Sequence, residues 1–268
     1  MPDTILKSSD SDGFVTLTLN RPDIHNAFNE ALMAQLTEAL ESLGNDDQVR
    51  GVVLTGAGKS FSAGADLNWM GAMIGADEAE NRADAPRLAK LLRLLNFLPK
   101  PTLARVNGAA FGGGIGLIAC CDIAIATPSG RFGLTEVKLG LVPAVISPYV
   151  LRKIGERNAR RFFLTGESFT ASQAEAMGLI HAVTSPEQLD SAIVAQKQRI
   201  ARAGPHAVRY AKQLIQNVSG QSPENQESLD QATAQLIAQL RVTKEAQEGM
   251  AAFLDKRDPD WALKSDRV

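Results

Sequence analysis

GVVLTGAGKSFSAGAD, residues 51–66, reads as a short apolar strand at 51–55 and a glycine-rich turn at Gly56, Ala57 and Gly58. A small-residue segment, Ser62-Ala63-Gly64-Ala65-Asp66, then leads into a helix that Asp66 is suited to cap. Side chains this small let a ligand approach the backbone, and on this reading the N–H of Ala63 faces outward. A plain strand-to-helix turn uses the same residues, and the motif alone does not separate the two readings.

The pattern recurs downstream. Residues 102–106 (TLARV) and 122–126 (DIAIA) are two more short strands, and Gly112-Gly113-Gly114 lies between the first of them and the apolar segment Ile115 to Cys120. Three consecutive glycines cost backbone entropy, which points to close packing or close ligand approach. If Gly113 opens a helix, its N–H presents the positive end of the helix dipole to a developing anion; a tight helix–sheet contact needs small residues equally. Neither GxGxxG nor a P-loop fits. Glu136 follows in a largely apolar stretch, among Phe132, Leu134, Val137, Leu139 and Leu141. Burial there raises a carboxyl pKa toward the range useful for proton transfer, while an ion pair with Lys138 or Arg131 is the competing reading. Two convergent N–H donors and one carboxylate can hold an enolate while a proton moves, so the chemistry indicated is proton transfer beside an activated carbonyl.

The rest of the chain supplies a scaffold. Residues 14–19 (FVTLTL) alternate as a half-buried strand, and Phe28, Leu32, Leu36, Leu40 and Leu43 recur at helical spacing up to a stop at Gly44. Gly71 to Arg87, which contains Pro86, reads as a mobile loop before a helix at 88–95. A helix is expected over 156–164, and Thr170 with Gln173 forms a capping box for a short helix that Gly178 stops. Beyond Ser185 the pattern is helical at about 186–203, 205–217, 223–240 and 243–255. The expectation is an α/β fold with ligand loops at strand ends, a core over 1–200 and a helical region over 201–268.

Composition narrows the class. The 268 residues are 44% hydrophobic and 22% charged, an ordinary globular balance, and the net charge of -2 gives no bias toward nucleic acid or anionic lipid. Cys120 and Cys121 are adjacent, which suits neither a disulfide nor a ligand pair, and His25, His181 and His206 are scattered. No metal site is expected. GxSxG is absent, which weakens a nucleophilic hydrolase reading. Met1-Pro2-Asp3-Thr4 opens no leader pattern, and no apolar run reaches the ~20 residues that span a bilayer, so a cytoplasmic protein with no membrane partner is expected.

Taken in order, NRP (20–22) with Asn26 and Ala27, FSAGADL (61–67), NGAAFGGG (107–114) with CDIAIA (121–126), and FGLTE (132–136) with LGLVP (139–143) resemble the enoyl-CoA hydratase/isomerase (crotonase) family. Gly166, AEA (174–176), GLI (178–180) and EGMAAFLDK (248–256) extend the likeness over nearly the whole chain. The resemblance implies a spiral of ββα repeats with a helical C-terminal trimerisation region, assembled as a homotrimer or a hexamer of paired trimers. It also implies an acyl-CoA thioester substrate and no cofactor beyond the coenzyme A of that substrate. By the same resemblance, the N–H groups of Ala63 and Gly113 form the oxyanion hole and Glu136 is the catalytic acid/base. Arg21, Asn26, Ala27, Ala65, Asp66 and Leu67 match segments that hold CoA, and Phe253 and Lys256 match positions that reach a neighbour's CoA.

One departure stands out. Two-glutamate hydratases of the family carry GGGxE, and here Gly116 takes the place of that glutamate, leaving Glu136 to work alone. ADLNWM (65–70), GLIACCD (116–122) and VKLGLVPAVISPY (137–149) resemble bacterial methylglutaconyl-CoA and isohexenylglutaconyl-CoA hydratases of leucine and acyclic terpene breakdown. Gly116 would then leave room, and remove a charge, for a substrate with its own distal carboxylate, with Lys138 or Arg131 as its partner. A general enoyl-CoA hydratase, a Δ3-Δ2-enoyl-CoA isomerase and a non-catalytic acyl-CoA-binding homologue are the alternatives.

Overall fold

The computed structural model describes residues 3–263, apart from the side chains at 78 and 82–84; Met1, Pro2 and residues 264–268, at the ends of the two expected regions, lie outside it. The chain opens with an antiparallel hairpin of β1 (Ile5–Ser9) and β2 (Phe14–Leu19), followed by α1 (Glu30–Asn45). Units of two strands and a helix come next: β3 (Gly51–Gly56) and β4 (Ser60–Ser62) with α2 (Leu67–Met73) and α3 (Glu78–Asn96). Then come β5 (Thr102–Val106), β6 (Ala109–Phe111) and α4 (Gly113–Cys120), and after them β7 (Ile123–Ala126), β8 (Arg131–Gly133) and α5 (Ser147–Thr165). The strands β9 (Ser168–Thr170) and β10 (Ala182–Val183) flank α6 (Ala171–Ala176). The helices α7 (Pro186–Ala201), α8 (Pro205–Val218), α9 (Pro223–Arg241) and α10 (Lys244–Leu254) complete the described chain.

Each unit adds one strand to each of two sheets. The six-stranded sheet runs β1-β2-β3-β5-β7-β10 and the four-stranded sheet β4-β6-β8-β9. The chain therefore winds as a spiral. Its consequence for function lies in the second sheet, where β4, β6 and β8 pair in parallel, Ser62 beside Ala110 and Ala110 beside Phe132. Parallel, adjacent strands deliver the residues that follow them to one edge, so segments 63–66, 112–114 and 134–136 emerge side by side. The main core fills the space beneath them, with Leu17, Leu54, Ala104, Leu36 and Leu92 all buried, and α4 is buried along almost its whole length. A smaller apolar cluster joins Met70 and Met73 of α2 to Ala246 and Met250 of α10.

Several elements differ from the sequence expectation. Residues 78–96 form one helix where a loop was expected up to Arg87. Its N-terminus carries a full capping box, Asp77 accepting from Glu80 N–H and Glu80 accepting from Asp77 N–H, and Ala85, Ala89, Leu91, Leu92 and Leu95 are buried against the core. Cap and packing outweigh the hydrogen bond that Pro86 removes. Gly44 lies inside α1, which ends a residue later, and α5 starts at Ser147 with a break at Gly155 (φ +72°) instead of starting near 156. The hairpin strand β1 carried no clear sequence signal, since four of its five residues are exposed. Among the described residues no helix is long and apolar enough to cross a membrane.

Candidate active site

The loop at 21–28 aims the first oxyanion segment. Asn26 is fully buried with φ +56°; its Nδ2 donates to Ala57 O and Ser60 O, both at 2.9 Å, and its Oδ1 accepts from Arg21 N–H at 2.9 Å. Arg21 donates from Nη1 to Ala27 O at 2.7 Å, while its Nη2 lies 2.7 Å from Asp66 Oδ2. The loop is thereby held against segment 63–66. Ala63 N–H donates to His25 O (2.9 Å), Phe28 N–H donates to Gly64 O (2.6 Å), and Asp66 N–H donates to Phe28 O (2.9 Å).

This pairing corrects the expected donor. The N–H of Ala63 is engaged by His25 and points into the loop. In the parallel bridge between Phe28 and Ala65, the flanking Gly64 O and Asp66 N–H both point at Phe28, so the N–H of Ala65 points the opposite way. Ala65 is exposed to a cavity of about 990 Å³, and no acceptor meets its N–H among the described residues. The donor is Ala65.

Gly113, the second expected donor, lies at the same cavity. It is the first residue of α4, where an N–H has no intrahelical acceptor. Two glycines bring the parts together. Gly64 (φ +87°) packs so closely on the neighbouring turn that a Cβ there would lie 3.1 Å from Phe111 O, and a Cβ on Gly112 (φ +48°) would lie 3.0 Å from Glu136 Oε1. The turn at 111–113 thus touches the Ala65 segment on one side and the Glu136 carboxylate on the other.

Glu136 opens a short 3₁₀ turn, Glu136–Leu139, and what surface it exposes is cavity wall. Its Oε2 is buried and, among the described residues, accepts no hydrogen bond, and no ion pair joins Glu136 to Lys138 or Arg131. Burial raises its pKa from the ordinary 4.5 to about 7, against a smaller opposing effect of its own backbone N–H. A carboxyl in that range both takes and returns protons at neutral pH.

The remaining expected residues divide into two groups. Ala27, Asp66, Leu67 and Phe253 line the cavity, and Phe253 does so in its own chain. Arg21 and Asn26 stand behind the wall and support it, and Lys256 lies outside the lining, in an exposed turn after α10 (φ +54°). Gly116 departs furthest. It is buried, it does not line the cavity, and a Cβ there would lie 2.6 Å from Ile146 Cγ2. Ile146 fills the space expected to be open for substrate, and its own side chain lines the cavity. Arg131 is outside the lining, and Lys138 is an exposed lining residue whose stem packs by Gly166.

Sequence reasoning missed most of the apolar wall: Trp69, Met70 and Met73 of α2, Ile146, Ile237 and Arg241 of α9, and Met250 of α10. The same-face spacings of 69, 70 and 73 and of 237 and 241 were readable, but such spacing serves a packed core equally well.

Comparison with known proteins agrees with this geometry. The profile of the enoyl-CoA hydratase/isomerase family matches residues 9–264. A 2,3-dehydroadipyl-CoA hydratase of Escherichia coli is 38% identical over 247 residues, covering 91% of this chain and 93% of the relative. A mevalonyl-coenzyme A hydratase of Aspergillus fumigatus is 34% identical, covering 91% of this chain and 90% of the relative. The crystal structure of an enoyl-CoA hydratase from Shewanella pealeana superimposes with a TM-score of 0.78 at 41% identity, covering 97% of this chain and 96% of that one. With two backbone donors, one buried glutamate and a spiral of paired sheets, the chain belongs to the enoyl-CoA hydratase/isomerase family, the crotonases.

Proposed function

We propose that the protein adds water across the α,β double bond of an enoyl-CoA thioester, and that the thioester is of the glutaconyl type, methylglutaconyl-CoA or isohexenylglutaconyl-CoA. The observation that carries the reading is Glu136, a buried carboxyl raised to about 7 that touches the turn presenting the Gly113 N–H. The N–H groups of Ala65 and Gly113 receive the thioester oxygen and hold the negative charge that develops on it. Glu136 takes a proton from water as the water oxygen bonds to the β-carbon, then returns that proton to the α-carbon. It begins and ends ionised, so a single carboxylate balances the reaction. Each oxyanion donor contributes roughly 10²–10³ in rate. The thioester itself supplies the acidity at the α-carbon, so the scheme calls for no metal or redox group.

Relatives named as hydratases support the reaction, and the E. coli relative is named for an acyl group that bears a second carboxyl. The test follows loss of enoyl-thioester absorbance with 3-methylglutaconyl-CoA, isohexenylglutaconyl-CoA and crotonyl-CoA, with product masses. A gain of one water with a glutaconyl ester is expected. An unchanged mass with a moved double bond would replace hydration by isomerisation, a reading favoured by the absence of a second carboxylate at Gly116. We also propose a trimer or a pair of trimers. The exposed residues Tyr210, Leu214 and Val218 on one face of α8 support it, and light scattering tests it.

A further inference from the structure

Glu136 opens the 3₁₀ turn Glu136–Leu139, and the far end of that turn is seated on α10. The turn closes in a left-handed residue, Gly140 (φ +67°), where a Cβ would lie 2.8 Å from the Glu245 carbonyl and 2.9 Å from Ala246 N. One helical turn along α10, a Cβ on Gly249 would lie 2.5 Å from the Leu139 carbonyl. Backbone thus rests on backbone at two points, with no side chain between to take up play. Trp261 stands at the second point, its Cη2 only 2.7 Å from where that same Gly249 Cβ would be. The indole edge and the Leu139 carbonyl crowd one bare Cα. Trp261 reaches it because the chain folds back after α10. Lys256 makes a left-handed turn (φ +54°), Arg257 donates from Nη1 and Nη2 to the two oxygens of Glu248 (2.6 and 2.8 Å), and Asp260 N–H donates to Glu248 Oε1 (3.0 Å). A bidentate pair with a third donor fixes the returning segment in direction as well as in place.

We propose that Trp261 is a positioning residue for Glu136: held by the Arg257–Glu248 clamp, it backs α10 against the Leu139–Gly140 end of the turn and so fixes where the carboxylate points. The inference rests on the hydratase reading above and deepens it. Glu136 needs an outside seat, because its Oε2 accepts no hydrogen bond among the described residues and no ion pair there holds it. A carboxylate with such an oxygen takes its direction from its backbone, and this backbone lies on α10. Proton transfer is sensitive to that direction: a misplacement of about 1 Å caused by a change remote from the chemistry can cost on the order of 10²-fold in rate. Gly249, Met250 and Phe253 line the cavity and Trp261 does not, so the ring acts on the turn from behind and not on the substrate. At 42% exposure the indole is placed by the clamp rather than by enclosure in a core.

The test pairs the wild type with Trp261→Leu, which keeps an apolar cover but is too short to reach Gly249, and Trp261→Phe, whose ring reaches part of the way. Rates are measured on 3-methylglutaconyl-CoA, isohexenylglutaconyl-CoA and crotonyl-CoA, and thermal unfolding is followed alongside. The Glu136 carboxyl is titrated by infrared difference against Glu136→Gln, a readout that needs no turnover. Trp261→Leu is expected to lower kcat roughly 10- to 10²-fold with KM within about 3-fold. A loosened turn admits water to Oε2, so the carboxyl midpoint should fall from about 7 toward the ordinary 4.5. The charged groups that share the cavity wall, from Asp23 and His25 through Asp66 and Lys138 to Arg241, Arg257 and Asp258, are unaltered in both variants. Trp261→Phe should recover part of both changes. A lower melting temperature with kcat and midpoint unchanged would make Trp261 a cover for α10, and a rise in KM alone would make it a binding residue; each overturns the inference while leaving hydration in place. A midpoint that falls in Trp261→Leu, in a protein whose wild type hydrates no ester, would sink the proposed reaction and keep the seat.

Discussion

Asp66 and Glu136 are both carboxylates on the wall of one cavity, each beside a segment that carries one of the proposed oxyanion donors, and they have opposite surroundings. Asp66 is 4% exposed, lies 2.7 Å from the Arg21 guanidinium, and accepts from Asn68 N–H at the start of α2. Among the described residues no ion pair to Glu136 is formed, and its Oε2 accepts no hydrogen bond. Full pairing makes Asp66 a clamp that fixes the direction of the neighbouring N–H at Ala65. The lack of pairing leaves Glu136 near neutrality, where a proton moves on and off easily. The same functional group thus does mechanical work in one place and, on the proposed mechanism, chemical work in the other.

The contrast is broken most severely by Glu136→Gln. It should lower kcat by about 10³-fold or more while leaving KM within a few-fold, read by the absorbance assay. Wild-type kcat/KM should rise with pH through about 7 and level off above, because the ionised carboxylate is the base; the glutamine variant should show no such rise. Asp66→Asn should act in the other direction on stability. It leaves Arg21 without its anion and should cost roughly 3 kcal/mol in urea unfolding, with a loss of activity as Ala65 loses its aim.

A subtler test uses the stability of Glu136→Gln itself. Because the folded carboxyl holds its proton up to about 7 while the ordinary value is 4.5, the folded state binds more protons between those values. Wild-type stability therefore falls as pH rises through that window, and the glutamine variant should gain on it, by on the order of 2–3 kcal/mol above pH 7. Removing a charge would then destabilise the protein at residue 66 and stabilise it at residue 136. The smallest effect is expected at the filled place beside the site. Gly116→Ala pushes a Cβ to 2.6 Å from Ile146 Cγ2 and should cost about 1–2 kcal/mol, and a second change, Ile146→Val, should relieve part of it non-additively.

How much of this was readable in the sequence depends on whether one segment or two were needed. The strand at 51–55 and the capping box of Thr170 and Gln173 are local signals, and each folds as read; at Glu136 the sequence left burial and an ion pair both open, and the structure shows the buried carboxylate. The choice between Ala63 and Ala65 is not local. It is a matter of parity, set by Phe28 bridging to Ala65 from an earlier loop, and no property of SAGAD records it. Gly116 was misread for a related reason: a glycine reports missing volume, and whether that volume is open or filled depends on Ile146. Pro86 misled in the opposite sense, since a strong local breaker sits within a helix that its cap and its buried face sustain.

The wall of the cavity also sets an order of events in synthesis. Its lining begins at Asp23 and ends at Pro259, with Ala65, Gly113 and Glu136 between. An elongating chain can pair β4, β6 and β8, and so gather both donors and the base, well before α9 and α10 leave the ribosome. Until those helices arrive, Met70 and Met73 have no Met250 to pack on and the part of the wall formed by Ile237 is missing. The groups of the proposed chemistry thus come from the first half of the chain, and the wall that encloses them is completed only by its last described helices.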